Sequence, residues 1–93
     1  MRVILYYDIN TEEAAGQRRL GRILKICRKY LHHVQKSVFE GILTEGQIEA
    51  MKAEILKVVD RRKDSVILYS MPESLRVKRE LLTEVDSGTD NLI

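Results

Sequence analysis

The chain begins with an almost unbroken run of Val, Ile, Leu and Tyr, which starts at Val3 and ends at Ile9, with Asp8 as its one charged member. Its length and its content of β-branched and aromatic residues predict a strand. Because apolar and polar residues do not alternate, we expect a central strand with both faces covered. The run is too short to span a membrane, which takes about 20 residues, and begins too early for a signal peptide. We therefore expect a soluble, cytoplasmic protein with no membrane partner.

The pattern after this strand changes to a helical period. Apolar residues recur at steps of three and four from about Ala14 to Tyr30, which predicts a helix with one buried face. The segment 10–13, Asn-Thr-Glu-Glu, offers an N-cap and acids for the first helical turn. The predicted buried face consists of Leu20, Ile23, Leu24, Cys27, Tyr30 and Leu31.

The middle of the chain predicts an extended segment, a second helix and a second buried strand. Residues 34–43 read as extended chain with a break at Gly41, and the pattern leaves open whether they form one bent strand or two. A capping box that starts at Thr44 begins a helix that we expect to reach about Arg62. Residues 66–69 then predict the buried strand. The buried face of the second helix would consist of Ile48, Met51, Ile55, Val58 and Val59.

This order of elements predicts an α+β fold, a ferredoxin-like βαββαβ sandwich with an antiparallel sheet covered by two helices on one face. The other face of the sheet would stay open although its strands are apolar, and a homodimer would cover it. The 93 residues suffice for a single domain. We assign residues 1–72 to the ferredoxin-like domain. Residues 73–93 would form an arm, with one further edge strand or a short helix, that packs on the dimer partner.

Asp8 is the first candidate for chemistry. A carboxylate that ends a central strand lies where ligands approach a sheet, and burying it costs free energy unless it is paired or metal-bound. The same position also suits an aspartate that only bonds backbone amides in a turn. Mg²⁺ usually takes one or two carboxylates together with water and phosphate. A two-fold dimer that brings both copies of Asp8 together would supply the second carboxylate.

Three other side chains are candidates to support Asp8. Tyr6 and Tyr7 are adjacent in a strand and point to opposite faces, so at most one of them can share its surroundings. Ser37 and Phe39 alternate with Val38 and should share one face. A serine nucleophile would need a histidine base, and none stands at a suitable spacing. We retain Tyr7, Ser37 and Phe39 as supporting residues.

The histidines and the cysteine offer no metal site. His32 and His33 are consecutive, a spacing that suits neither a helical nor a strand metal site, and we interpret them as a cation at the helix C-terminus and a surface residue. The single cysteine, Cys27, excludes a disulfide framework and a zinc site built from cysteines. Its place on the apolar helix face predicts a core residue.

A stripe of cations on the first helix is the second candidate site. Residues 1–36 carry eight basic and three acidic side chains, a net charge of +5, whereas residues 37–93 carry a net charge of −3. Such a stripe is usually a solvated face, but no acid interrupts it, and Arg suits phosphate recognition. There is no Walker loop, dinucleotide fingerprint or helix-turn-helix, so only backbone-directed nucleic-acid binding is supported. The stripe consists of Arg18, Arg22, Lys25 and Lys29.

Two motifs carry a resemblance to a known family. The sequence VILYYDI at residues 3–9 precedes the basic helix, and VQKSVFEG follows at residues 34–41. Together they resemble the second universal CRISPR-associated protein family, the small partner of the CRISPR spacer integrase. Residues 64–66 and 89–93 also look like family positions, so the resemblance covers almost the whole chain.

The resemblance implies a ferredoxin-like homodimer that acts in CRISPR adaptation. It implies that Asp8 is the Mg²⁺ ligand and catalytic residue of a metal-dependent endonuclease on single-stranded RNA or duplex DNA. It also implies that the C-terminal strand adds to the partner's sheet, and that dimers of the CRISPR integrase are partners. The alternative is a non-catalytic dimeric scaffold that binds the prespacer duplex and bridges two integrase dimers. A small-molecule regulator is permitted by the fold alone.

Overall fold

The structure, a computed structural model, describes residues 1–85. Its four strands form one antiparallel sheet in the order β2-β3-β1-β4, and both helices pack on one face. This confirms the predicted α+β sandwich. The elements in chain order are β1 (Arg2–Asp8), α1 (Ala14–Tyr30), β2 (His32–Gln35), β3 (Val38–Ile42), α2 (Glu45–Leu56) and β4 (Ser65–Met71).

Strand β1 lies at the centre of the sheet, between β3 and β4, as predicted. Only one of its faces is covered, however. Leu5 and Tyr7 are buried against the helices, whereas Tyr6 is 43% exposed and Asp8 is exposed on the opposite face. The expectation that both faces are covered is therefore wrong for the single chain. The apolar residues that point away from the helices create an open apolar face instead.

Strand β4 forms an edge of the sheet and is not the buried strand that its sequence predicts. Val66 and Leu68 pack against the core, but Ile67 is 48% exposed and Tyr69 is also exposed. The physical reason is the same as for β1, because β4 contacts the helix layer through alternate residues only.

Residues 34–43 belong to two strands that form a hairpin, which settles the question left open by the sequence. The hairpin turns at Lys36 and Ser37 and not at Gly41, which lies inside β3. A Cβ at Gly41 would lie 3.0 Å from a methyl carbon of Leu31, so this glycine permits a close approach of the chain after α1. Strand β2 begins at His32, and the prediction of a histidine at the helix C-terminus is therefore wrong.

Helix α1 has the predicted bounds, but the preceding residues 10–13 do not cap it through a side chain. Its N-cap is Glu13, which makes no side-chain capping bond. The Oδ1 of Asn10 instead accepts a hydrogen bond from the backbone N–H of Glu12, 3.0 Å away, in a turn that precedes the helix. The predicted acids consequently lie before the first helical turn, which contains none.

Helix α2 begins with the predicted capping box at Thr44, whose hydroxyl accepts from the backbone N–H of Gln47. It ends at Leu56, well before the predicted Arg62. The chain there turns around Asp60, whose carbonyl accepts hydrogen bonds from two later backbone N–H groups. The predicted buried residues Ile48, Met51, Ile55, Val58 and Val59 do pack in or against the core.

The segment that follows β4 contains neither a helix nor a strand between residues 72 and 85. The predicted strand or helix of the arm is therefore not found in the part of it that is described, and the family-like residues 89–93 lie outside the described residues. Among residues 1–85, no helix is long and apolar enough to cross a membrane. The described part of the arm, residues 73–85, leaves five large apolar side chains exposed, Leu75, Val77, Leu81, Leu82 and Val85.

Two glycines of α1 provide a matched test of this packing. A Cβ at Gly16 would lie 1.8 Å from the carbonyl oxygen of Asn10, whereas a Cβ at Gly21 would meet nothing within 4 Å. Gly21→Ala should raise the free energy of unfolding by about 0.5–1 kcal/mol, because alanine has the higher helix propensity. Gly16→Ala should lower it by at least about 1 kcal/mol, because backbone must move. Urea unfolding of both variants measures this, and equal stabilities would contradict the close contact.

Candidate functional site

The carboxylate of Asp8 ends β1 on the open face of the sheet. In the antiparallel register it lies opposite Ser65 of β4, so the two side chains share that face. Among residues 1–85, no protein group donates a hydrogen bond to it. The turn that follows β1 is bonded by Asn10 and Asp64 instead. Asp8 is therefore not the turn-forming aspartate of the alternative interpretation, and its oxygens are available to a ligand.

A shallow cleft of about 510 Å³ extends from Asp8 between two loops. One loop joins β1 to α1, and the other joins α2 to β4. Because both loops are fixed by hydrogen bonds at their bases, the cleft has defined walls. Its lining residues are Asp8, Asn10, Thr11, Glu12, Arg62, Lys63, Asp64 and Ser65.

An ion pair between the buried carboxylate of Asp64 and the partly exposed Arg19 holds the two loops together. The side chain of Asp64 is 0% exposed, and its Oδ2 lies 2.8 Å from the Nε of Arg19. A second guanidinium nitrogen donates to Oδ1 at 3.2 Å. The backbone N–H groups of Asn10 and Asp60 donate to the same carboxylate at 3.1 and 2.9 Å. One carboxylate thus joins α1, the loop after β1 and the loop before β4.

The ion pair changes the pKa of both its members. The hydrogen bonds from Arg19 hold the pKa of Asp64 below its ordinary value, although burial acts in the opposite direction. The same hydrogen bonds raise the pKa of Arg19.

No local pattern in the sequence identifies this pair. Arg19 neighbours Arg18 of the stripe but points in another direction around the helix, since successive helical residues do not share a face. This difference in direction around the helix is the feature of the sequence that separates Arg19 from the stripe.

Two of the three predicted supporting residues, Tyr7 and Phe39, lie on the other side of the sheet from Asp8. Tyr7 and Phe39 are buried among the core residues. The Tyr7 hydroxyl donates to the carbonyl of Lys36 at 2.8 Å, and burial raises its pKa. Ser37 lies in the hairpin turn rather than on the strand, where its carbonyl accepts from the backbone of Tyr7. These contacts fix the hairpin, and it is Tyr6 that shares the face of Asp8.

The histidines and the cysteine have structural surroundings. The ring of His33 stacks on Phe39 with 4.4 Å between centroids, and its Nε2 lies 2.9 Å from the carbonyl oxygen of Lys36. Cys27 is buried, and burial raises the pKa of its thiol to about 12. Residues 1–85 contain no group of three or more His, Cys, Asp or Glu side chains that could hold a metal ion.

The basic stripe lies on the outer surface of α1, so the sheet separates it from the side chain of Asp8. Its four residues are exposed. The Nζ of Lys29 is 2.5 Å from the Oε1 of Glu54 in α2, and Tyr30 donates to the same carboxylate. These hydrogen bonds lower the pKa of Glu54. No acid interrupts the stripe in the sequence, but in the structure Glu54 of α2 neutralises Lys29 at one end of it.

The protein family described as CRISPR associated protein Cas2 matches residues 1–80. A relative from Moorella thermoacetica, named CRISPR-associated endoribonuclease Cas2 2, is 54% identical over 91 residues, 98% of this chain and 100% of the relative. A relative from Halalkalibacterium halodurans, named CRISPR-associated endonuclease Cas2, is 35% identical over 80 residues, 86% of this chain and 83% of that one. The crystal structure of Streptococcus pyogenes Cas2 at pH 6.5 is similar with a TM-score of 0.72 and 35% identity, over 80% of this chain and 89% of that chain.

Asp64→Asn should destabilise the fold in a pH-dependent way. The pKa of Asp64 is lower in the folded than in the unfolded chain, so the stabilisation is present above the unfolded value of about 3.9. It is lost as the pH falls through the folded value. Urea unfolding should thus show a large deficit at pH 7 that shrinks from about pH 4 downward.

The deficit at pH 7 should exceed the contribution of an exposed ion pair, which is at most about 1 kcal/mol. Glu49→Gln removes such a pair with Lys52 and serves as the control. A deficit that matched the control, or one that did not change with pH, would contradict the structural role of Asp64.

Proposed function

This chain belongs to the CRISPR-associated protein Cas2 family, and from that membership we propose that it is an endonuclease of CRISPR adaptation whose reaction centre is Asp8. The observation that carries the assignment of the centre is the exposed carboxylate at the end of β1, to which no group among residues 1–85 donates. The buried Asp64 beside it is neutralised by Arg19 and is not available to a ligand. Relatives named as endoribonucleases and as an endonuclease support the enzyme class.

The oxygen atoms of Asp8 and Ser65 suit Mg²⁺ as ligands. Mg²⁺ takes oxygen ligands and accepts one or two carboxylates completed by water and phosphate. Asp8 would supply one carboxylate, and Ser65 places a hydroxyl on the same face. When bound, the ion would offset phosphate charge and make water a better nucleophile. The chain's own part is to hold that carboxylate on a paired strand, beside a cleft whose walls the ion pair of Asp64 and Arg19 fixes.

The open apolar face of the sheet supports a homodimer. A patch of this kind on a small domain favours burial against another surface, and a second copy offers the same patch. In a two-fold arrangement of the two faces, each copy would bring its Asp8 to the interface. The patch contains Ile4, Tyr6, Val38, Ile67 and Tyr69.

The same proposal includes the arm and the other partners. Residues 73–93 would pack on the dimer partner, which would cover the apolar side chains that residues 73–85 expose. The outer edge of β4 has no neighbouring strand among the described residues and is the place for such an addition. The other proposed partners are dimers of the CRISPR integrase and nucleic acid. The proposed location is the cytoplasm.

A non-catalytic scaffold is the second candidate function. The observation that supports it is that the basic stripe and Asp8 lie on opposite sides of the sheet. Arg18, Arg22 and Lys25 form no ion pair within residues 1–85, and they lie on the outer face of α1. A duplex held there would contact phosphates without reaching Asp8. With Lys29 already bonded to Glu54, these three cations would carry most of the binding.

Asp8→Asn should abolish metal-dependent cleavage without loss of folding. Cleavage of end-labelled single-stranded RNA and of duplex DNA, with and without Mg²⁺, should fall by at least about 100-fold in the variant. Its unfolding midpoint should stay near that of the wild type, because the carboxylate has no hydrogen-bond or ion-pair partner among residues 1–85. Equal cleavage by both proteins would indicate a contaminant and contradict the proposal. No cleavage by either, with duplex binding intact, would favour the scaffold.

Ile67→Lys should convert the dimer into a monomer. Ile67 is 48% exposed in the middle of the open face, and a charge buried there without a partner would oppose association. Leu56→Lys is the matched control, because Leu56 is 49% exposed but lies on α2, in the opposite layer. Sedimentation equilibrium measures both masses. A monomeric wild type, or an Ile67→Lys variant as dimeric as the control, would rule out this interface.

A further inference from the structure

The loop between α2 and β4 carries a basic run to which the proposed function assigns no role. Three consecutive cations, Arg61, Arg62 and Lys63, precede the buried Asp64. Arg62 and Lys63 line the cleft of Asp8. Arg61 lines a different cavity, on the helix side of the sheet between α2 and β4. Two of the three cations therefore face the candidate reaction centre.

The backbone of these two residues is held by a network of hydrogen bonds within the loop. The carbonyl of Asp60 accepts from the backbone N–H of Lys63 at 3.1 Å and from that of Asp64 at 2.8 Å. The Oδ1 of Asp60 accepts from the backbone N–H of Arg62 at 2.9 Å. Because Asp64 is itself bonded to Arg19, the loop is fixed at its end. A ligand would then need to order only the side chains.

The two charges are available to an anion. The guanidinium of Arg62 has no bonding partner among residues 1–85. The Nζ of Lys63 lies 3.8 Å from the Oε1 of Glu13, and both side chains are exposed, so this pair is weak. Glu12 also lines the cleft and adds a negative charge to that of Asp8. A polyanion could approach Asp8 favourably only where cations offset these acids.

We propose that Arg62 and Lys63 bind a backbone phosphate of the nucleic acid and orient the strand against Asp8. An Arg guanidinium can hold phosphate through two parallel N–H bonds, and Lys adds a point charge. The arrangement places the carboxylate on β1 and the phosphate-binding cations on the loop before β4, across one cleft. This inference rests on the proposed function for the position of the reaction centre. It assigns substrate binding to a different surface from the stripe on α1.

Binding in the Asp8→Asn background tests the inference without catalysis. Fluorescence anisotropy with labelled single-stranded RNA and duplex DNA compares that variant with one that also carries Arg62→Ala and Lys63→Ala. Affinity for the preferred nucleic acid should fall about tenfold, and the slope of log affinity against log salt should fall by about one to two. Exchanging the two cations, Arg62→Lys with Lys63→Arg, should restore most of the affinity.

The matched control removes the same charge from outside the cleft. Arg61→Ala with Lys52→Ala changes two residues that line the other cavity, and one of them is the neighbour of Arg62. A loss of affinity and of salt slope no greater than in this control would overturn the inference. In the active protein, loss of Arg62 and Lys63 should lower kcat/KM about tenfold, because both binding and orientation of the strand would be lost.

The two proposals fail in distinguishable ways. If the wild type cleaves and Asp8→Asn does not, but the loop variant binds as well as its control, the phosphate site is wrong and the reaction centre stands. If no protein cleaves, but affinity falls only with Arg62 and Lys63, the phosphate site stands and the nuclease proposal is wrong.

Discussion

The carboxylate of Asp64 accepts hydrogen bonds from Arg19 and from the backbone of Asn10 and Asp60, and the rest of the site depends on this one group. Taking two opposite charges out of water costs free energy, which good geometry and additional backbone donors offset. Those donors belong to separate loops, so the bonds are satisfied only when α1, β1 and β4 are in their native positions. The ion pair therefore selects one arrangement of the cleft, at whose edge the Asp8 carboxylate accepts no hydrogen bond from residues 1–85.

Much of the fold follows from periodicity in the sequence. The step of three and four residues predicts α1 with its observed bounds, and the capping box at Thr44 predicts the start of α2. Periodicity does not predict which faces are covered, because helices and other chains both cover apolar strand faces. That is why β1 and β4 expose Tyr6 and Ile67 contrary to expectation.

The site was less predictable than the fold. Asp8 stands out because it lies at the end of an apolar strand. That no side chain or backbone group of the described residues donates to its carboxylate depends on where Asn10 and Asp64 place their own oxygens. The pairing of Arg19 with Asp64 joins residues far apart in the chain, and no local pattern encodes it. The neutralisation of Lys29 by Glu54 is a contact of the same kind. Tertiary contacts thus decide which charges of a basic stripe remain available.

The burial of Cys27 has a consequence for how this protein can be observed. The chain has a single thiol, which is 0% exposed at the interface of α1 with the sheet, and whose ionisation burial disfavours. Alkylating reagents need the thiolate and direct access, so they meet both only when α1 separates from the strands beneath it. The rate of thiol labelling in the native protein then measures how often the helix layer opens, without any added probe.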